Sequence, residues 1–112
     1  MTDMLIVFST FATEDDAARV VRALLDERLA ACGTLLGGAR SLYLWQGAVA
    51  DEREVVVLLK TRRETWPALA ARLRALHPYA TPECVAVEVA EGSPAYLAWL
   101  AESLGPTAGE GA

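Results

Sequence analysis

Histidine and cysteine are nearly missing from this 112-residue chain: His77 stands alone, and the two cysteines, Cys32 and Cys84, form no C-x-x-C pair. That scarcity removes zinc ribbons and redox dithiols, which need thiols or imidazoles at short spacing. Basic charge is also in deficit, with ten Lys and Arg against fifteen Asp and Glu and a net charge of -5. Binding to phosphate backbones works by neutralising them with cationic side chains, so nucleic acid is not an expected partner. No apolar run reaches the ~18 residues of a membrane span, and the N-terminus lacks a basic region leading into a hydrophobic stretch and cleavage site. A cytoplasmic protein with no membrane partner is expected.

What is present is apolar content, 54 % of residues, enough for a core in one domain without metal or disulfide staples. Residues 4–11, MLIVFSTF, are too short for a globular helix and read as a first strand apolar on both faces. Thr13 and Asp16 then resemble a capping box, and Ala18, Val21, Leu25 and Leu29 follow at helical spacing. In LLGGARSLYLWQG, residues 35–47, Leu42 and Leu44 alternate with Tyr43 and Trp45, while Gly37-Gly38 predicts a bulge inside a long second strand. EVVVLLK, residues 54–60, is the third strand. A second helix over about 64–76 carries Trp66, Leu69, Leu73 and Leu76 on one stripe, with Pro67 tolerable in its first turn and Pro78 ending it. CVAVEVA, residues 84–90, is the fourth strand, and Ser93-Pro94 opens a third helix bearing Leu97, Leu100 and Leu104. Residues 1–104 make a single domain, with 105–112 a frayed tail.

The order is β-α-β-β-α-β plus a short C-terminal helix: an α+β, ferredoxin-like fold with an antiparallel sheet ordered 4-1-3-2. Strands one and three are central there, and they are the two that are apolar on both faces. Helices cover only one face, so the other needs a cover, and self-association is the simplest one. Val55 and Val57 are expected on that shared face. Cys32 and Cys84 fall on opposite edges, three strand spacings or about 14 Å apart against a bridging limit near 7 Å, so they should remain thiols.

Functions hosted by this fold can be tested on the residues. A copper chaperone would need two cysteines after strand one, where the chain reads STFATEDD. An RNA-recognition module would need aromatics on strand three and a basic face. No motif joins the single histidine to a nucleophile, so an enzyme is not expected.

ERLAACGTLL (27–36), SLYLWQG (41–47), LLKT (58–61), HPYATPE (77–83) and YLAWL (96–100) resemble, in order, the signatures of the CutA divalent-cation-tolerance family. The resemblance spans about Leu5 to Leu104. It implies a stable homotrimer similar in architecture to the PII signalling proteins, with links to copper tolerance and divalent-ion binding. Some members implicated in copper binding have a cysteine at the end of strand one and two histidines before the Pro-Tyr; here those positions are Ser9 and Leu76-His77. Gly33 stands where many relatives have a larger apolar residue.

Two functions follow. One is a trimeric ion-tolerance factor that binds divalent cations weakly, copper favoured, with His77, Glu83 and Cys32 as ligands; no cofactor is required. The other is a PII-like signalling or scaffold trimer holding a small ligand or partner in intersubunit clefts lined by Tyr43, Trp45, Glu54, Lys60 and Tyr79. A long mobile loop of the PII kind is not expected, because only about seven residues, GAVADER, separate strands two and three. Each residue has a plainer role beside the functional one. His77 can close the second helix, Tyr43 and Trp45 can pack against a neighbouring subunit, and Glu54 and Lys60 can be solvated strand ends. Cys32 can be a small buried hydrophobe.

Overall fold

A computed structural model describes residues 2–106 and contains β1 (Met4–Phe11), α1 (Glu14–Asp26), β2 (Cys32–Trp45), β3 (Ala48–Arg62), α2 (Trp66–Leu76), β4 (Val85–Glu88) and α3 (Pro94–Leu104). The four strands form one antiparallel sheet in the order β2-β3-β1-β4, the expected arrangement read from its other edge. Tail residues 107–112 lie outside the described region.

Local chemistry sets the helix ends. Thr13 Oγ1 accepts the Asp16 N–H at 3.1 Å, and Glu14, Asp15 and Asp16 place carboxylates where the helix dipole favours them. The buried face of α1 is Ala17, Val20, Val21 and Leu24, with Leu25 and Leu29 only partly buried against it. The expected Ala18-led stripe is thus shifted by about one residue: several apolar residues flank the true stripe, and the helix ends at Asp26, before Leu29. In α2 the stripe is as expected, with Leu69 and Leu73 buried and Trp66 and Leu76 packed beside them.

One sheet face lies under α1 and α2. Val7, Ser9 and Phe11 of β1 stand opposite Leu59, Val57 and Val55 of β3 there, all buried. Val55 and Val57 therefore belong to the helix-covered core and not to the second face. In a strand apolar on both sides, alternation fixes two faces but does not say which one receives the helices. The second face carries Ile6, Phe8, Val56 and Leu58, half-buried, with Leu36, Val85 and Val87 about half exposed. Helix α3 covers only the Met4 end of it, where Met4, Leu100 and Leu104 cluster. Arg62, itself buried, donates to the Ala101 and Gly105 carbonyls at 2.8 Å each, a cation at the C-terminus of that helix.

The largest departure is the β2–β3 hairpin. Residues 47–53, expected as a connection, are mostly strand: the turn is only Gln46-Gly47, both at positive φ (49° and 81°), as a type I′ hairpin requires. This distal half extends past the helices, so no buried face imposes apolar alternation on Asp51, Glu52 and Arg53. Leu42, Leu44, Trp45 and Val49 stand exposed on it. The predicted bulge is present: between the pairs Leu36–Val56 and Ala39–Glu54, Gly37 and Gly38 oppose Val55 alone, with Gly38 at φ 78°. The extra residue reverses the parity of β2. Ala39, Ser41, Tyr43 and Trp45 therefore share the second face with Glu52 and Glu54.

Candidate functional site

Where the hairpin leaves the body of the sheet, its second-face residues meet Thr10 of β1 and the segment after α2 around a cleft of about 880 Å³. Tyr43 and Trp45 come from β2, Glu52 and Glu54 from β3, and Tyr79 and Glu83 from the stretch between α2 and β4. Arg40 is the only cationic side chain on the lining, and it is held by Asp51 through two contacts of 2.8 and 2.6 Å. Three carboxylates and three aromatic rings therefore face one space with little opposing charge.

Glu54 is the unusual member. It is 9 % exposed, its Oε2 accepts the Tyr79 hydroxyl at 3.0 Å, and no Lys or Arg pairs with it among the described residues. Burial and this hydrogen bond to Glu54 push the Tyr79 hydroxyl up to about 12. Tyr43 is also raised, first by desolvation and then by Glu52.

Beneath this wall lies His77. Pro78 keeps it out of the helical region, and it caps α2 at φ -71°, ψ 136°. Its Nδ1 accepts the Tyr79 N–H at 3.0 Å, which leaves Nε2 to carry the proton and donate to the Thr10 carbonyl at 2.8 Å. The ring is 7 % exposed and stacks on Phe11 with centroids 4.1 Å apart. Burial lowers its pKa from the usual value, against weaker opposite pulls from the Thr10 carbonyl, Asp16 and Glu54. Both nitrogens are thus engaged within the chain.

Of the expected residues, Tyr43, Trp45, Glu54, Tyr79 and Glu83 line the cleft, with His77 supporting it. Cys32 and Lys60 lie elsewhere: they pair across β2 and β3 in register with Ile6, four residues along β1 from Thr10 and so about 13 Å away along the sheet. There Lys60 Nζ donates to the Tyr96 hydroxyl at 3.0 Å, and Cys32 Sγ lies 3.9 Å from the same oxygen. Within one chain, His77, Glu83 and Cys32 are not gathered. Among the described residues no group of three or more His, Cys, Asp or Glu is placed to hold a metal ion. Both cysteines are free thiols. Glu52 carries no site signal while residues 47–53 count as a connection; extending the period-two pattern back from Glu54 brings it onto the same face. Tyr96 is the first residue of the YLAWL signature, but nothing in that stretch pairs it with Lys60 and Cys32.

The fold and the cleft together define a ferredoxin-like α+β protein with an acidic, aromatic-walled site on an uncovered sheet face. Residues 5–103 match the model of the CutA1 divalent ion tolerance protein family, and the chain belongs to that family. It is 44 % identical over 100 residues to the divalent-cation tolerance protein CutA of Thermus thermophilus, covering 89 % of this chain and 97 % of that one. Its fold superposes on the crystal structure of CutA from Xylella fastidiosa with a TM-score of 0.89 at 43 % identity, covering 92 % and 99 % of the two chains. A CutA from Archaeoglobus fulgidus, described as periplasmic, matches with a TM-score of 0.87 at 27 % identity over 90 % and 98 %. No helix among the described residues is long and apolar enough to cross a membrane.

Proposed function

We propose that this protein acts in the cytoplasm as a homotrimeric divalent-cation tolerance factor whose acidic cleft, formed where subunits meet, takes up divalent cations. The observation that carries the cation reading is Glu54: a carboxylate nine-tenths buried, with one hydroxyl donor and no cationic partner among the described residues, is costly until a positive charge reaches it. The assembly reading rests on the apolar second face and on the exposed hairpin side chains Leu42, Leu44 and Val49, which suit a neighbouring copy. With no preassembled ligand cage, the ion is held weakly at Glu54, with Glu52 on the same strand face, and keeps most of its water. Copper ranks first among such ions by the Irving-Williams order. His77 contributes by fixing Tyr79 and not by donating a lone pair.

Calorimetry with Cu(II), Zn(II) and Mg(II) tests this on the wild type, Glu54→Gln and His77→Ala. The expected result is copper binding that is lost in Glu54→Gln and retained in His77→Ala. Copper binding unchanged by Glu54→Gln would overturn the assignment. A second reading, a small-ligand trimer, is favoured by the cleft volume, which far exceeds what an ion and its water need.

A further inference from the structure

We propose that the cleft binds a linear organic diamine or polyamine, its ammonium groups held by carboxylates on separate walls and its methylene chain lying against the aromatic rings. The inference rests on the cleft being a cation site and names the class of cation. Its first support is size: about 880 Å³ falls within the range of small-molecule pockets. The second is the distribution of charge. Glu52 and Glu54 project from β3, whereas Glu83 belongs to the separate segment after α2, so the anionic groups stand on two walls and do not converge on a point. A tightly held ion requires convergence; a ligand with positive charges spaced along a chain requires separation. The third is the lining itself. Tyr43, Trp45 and Tyr79 line the cleft, and aromatic rings attract both ammonium groups and their adjoining methylenes, whereas water-ligated metal ions gain little from such walls. Arg40 offers no competition, because Asp51 already occupies its guanidinium. Glu54 supplies the drive, since a buried carboxylate lacking a counter-charge attracts the first ammonium group that fits.

The same positive group could come from a Lys or Arg of a neighbouring copy, and the experiment separates that source from a free amine. Spermidine, putrescine, butylamine and Mg(II) are titrated calorimetrically, at matched ionic strength, into the protein in its natural state of assembly. Spermidine should bind at one site per chain, at least tenfold more tightly than butylamine, and should displace Cu(II) if that ion binds. Tyr43→Leu should weaken spermidine roughly fivefold, the scale of one ring contact, and leave Cu(II) unchanged. Glu83→Gln, at an exposed position that does not endanger the fold, should also weaken spermidine. Binding of Cu(II) without spermidine would overturn the amine assignment and leave the cation cleft standing. Binding of neither would overturn both and assign the counter-charge of Glu54 to a neighbouring copy. Equal affinity for spermidine and butylamine would overturn the two-wall geometry.

Discussion

Replacing His77 by alanine tests whether this side chain is structural. The change removes the acceptor of the Tyr79 N–H and the donor to the Thr10 carbonyl, together with a ring stacked on Phe11. Orphaning a buried polar group costs about 1–3 kcal/mol, and a stacked aromatic pair contributes about 0.5–1.5 kcal/mol beyond area. These contributions overlap, so a loss of about 3–5 kcal/mol is expected at fixed protomer concentration. The pH dependence adds a signature. Burial holds the folded imidazole below its ordinary pKa, so as pH falls below about 6.5 the unfolded chain takes the proton first. Stability then rises with pH across the window beneath 6.5 and falls toward acid, by at most about 1.4 kcal/mol per pH unit from this one group. Urea denaturation of wild type and His77→Ala between pH 5 and 7.5 should show the difference between them shrinking toward acid. A difference below about 1 kcal/mol that does not vary with pH would refute the reasoning.

Tyrosine absorbance titration should find Tyr79 ionising near pH 12, and Glu54→Gln should move it back toward 10, because the carboxylate favours the protonated hydroxyl; an unmoved transition would deny their contact. A Cβ at Gly33 would sit 2.6 Å from Val21 Cγ1 and 3.0 Å from Leu59 Cδ2. Gly33→Ala should therefore cost about 1–3 kcal/mol, and adding Val21→Ala should recover part of it, a coupling readable by thermal denaturation. Ser9 is fully buried with no partner for its hydroxyl among the described residues, so Ser9→Ala should be stabilising by about 1 kcal/mol in denaturant unfolding. A destabilisation would mean that the hydroxyl is satisfied.

The element order and sheet topology were legible because β1 and the proximal part of β3 are apolar on both faces and α2 and α3 carry clean apolar stripes. Gly37-Gly38 announced the bulge, since two adjacent glycines in a strand have few other uses. The distal hairpin was not legible: from Ala48 to Arg53 both sides meet water, and charged residues there leave no periodic apolar signal. Nor could residues 54–60 say that Val55 and Val57, and not Val56 and Leu58, face the helices. Of the five expected site residues that line the cleft, Tyr43, Trp45 and Glu54 reach it by register, because parity after the bulge puts Tyr43 and Trp45 on the face of Glu54, whereas Tyr79 and Glu83 come from the segment between α2 and β4. His77 illustrates the opposite limit. Its Nδ1 bond to the Tyr79 N–H is local, but its Nε2 bond goes to the Thr10 carbonyl, 67 residues away in sequence, and no local pattern encodes that meeting.

The proposed assembly is the central claim, because copies of the chain would cover the uncovered face and the projecting hairpin. Light scattering on the wild type and on the Val85→Asp, Val87→Asp double variant tests it most directly. These two side chains are about half exposed in the single chain, so charge there leaves the subunit fold intact by circular dichroism. The wild type should scatter at three times the 12.0 kDa chain mass, and the variant should dissociate. A monodisperse wild-type monomer would contradict the account.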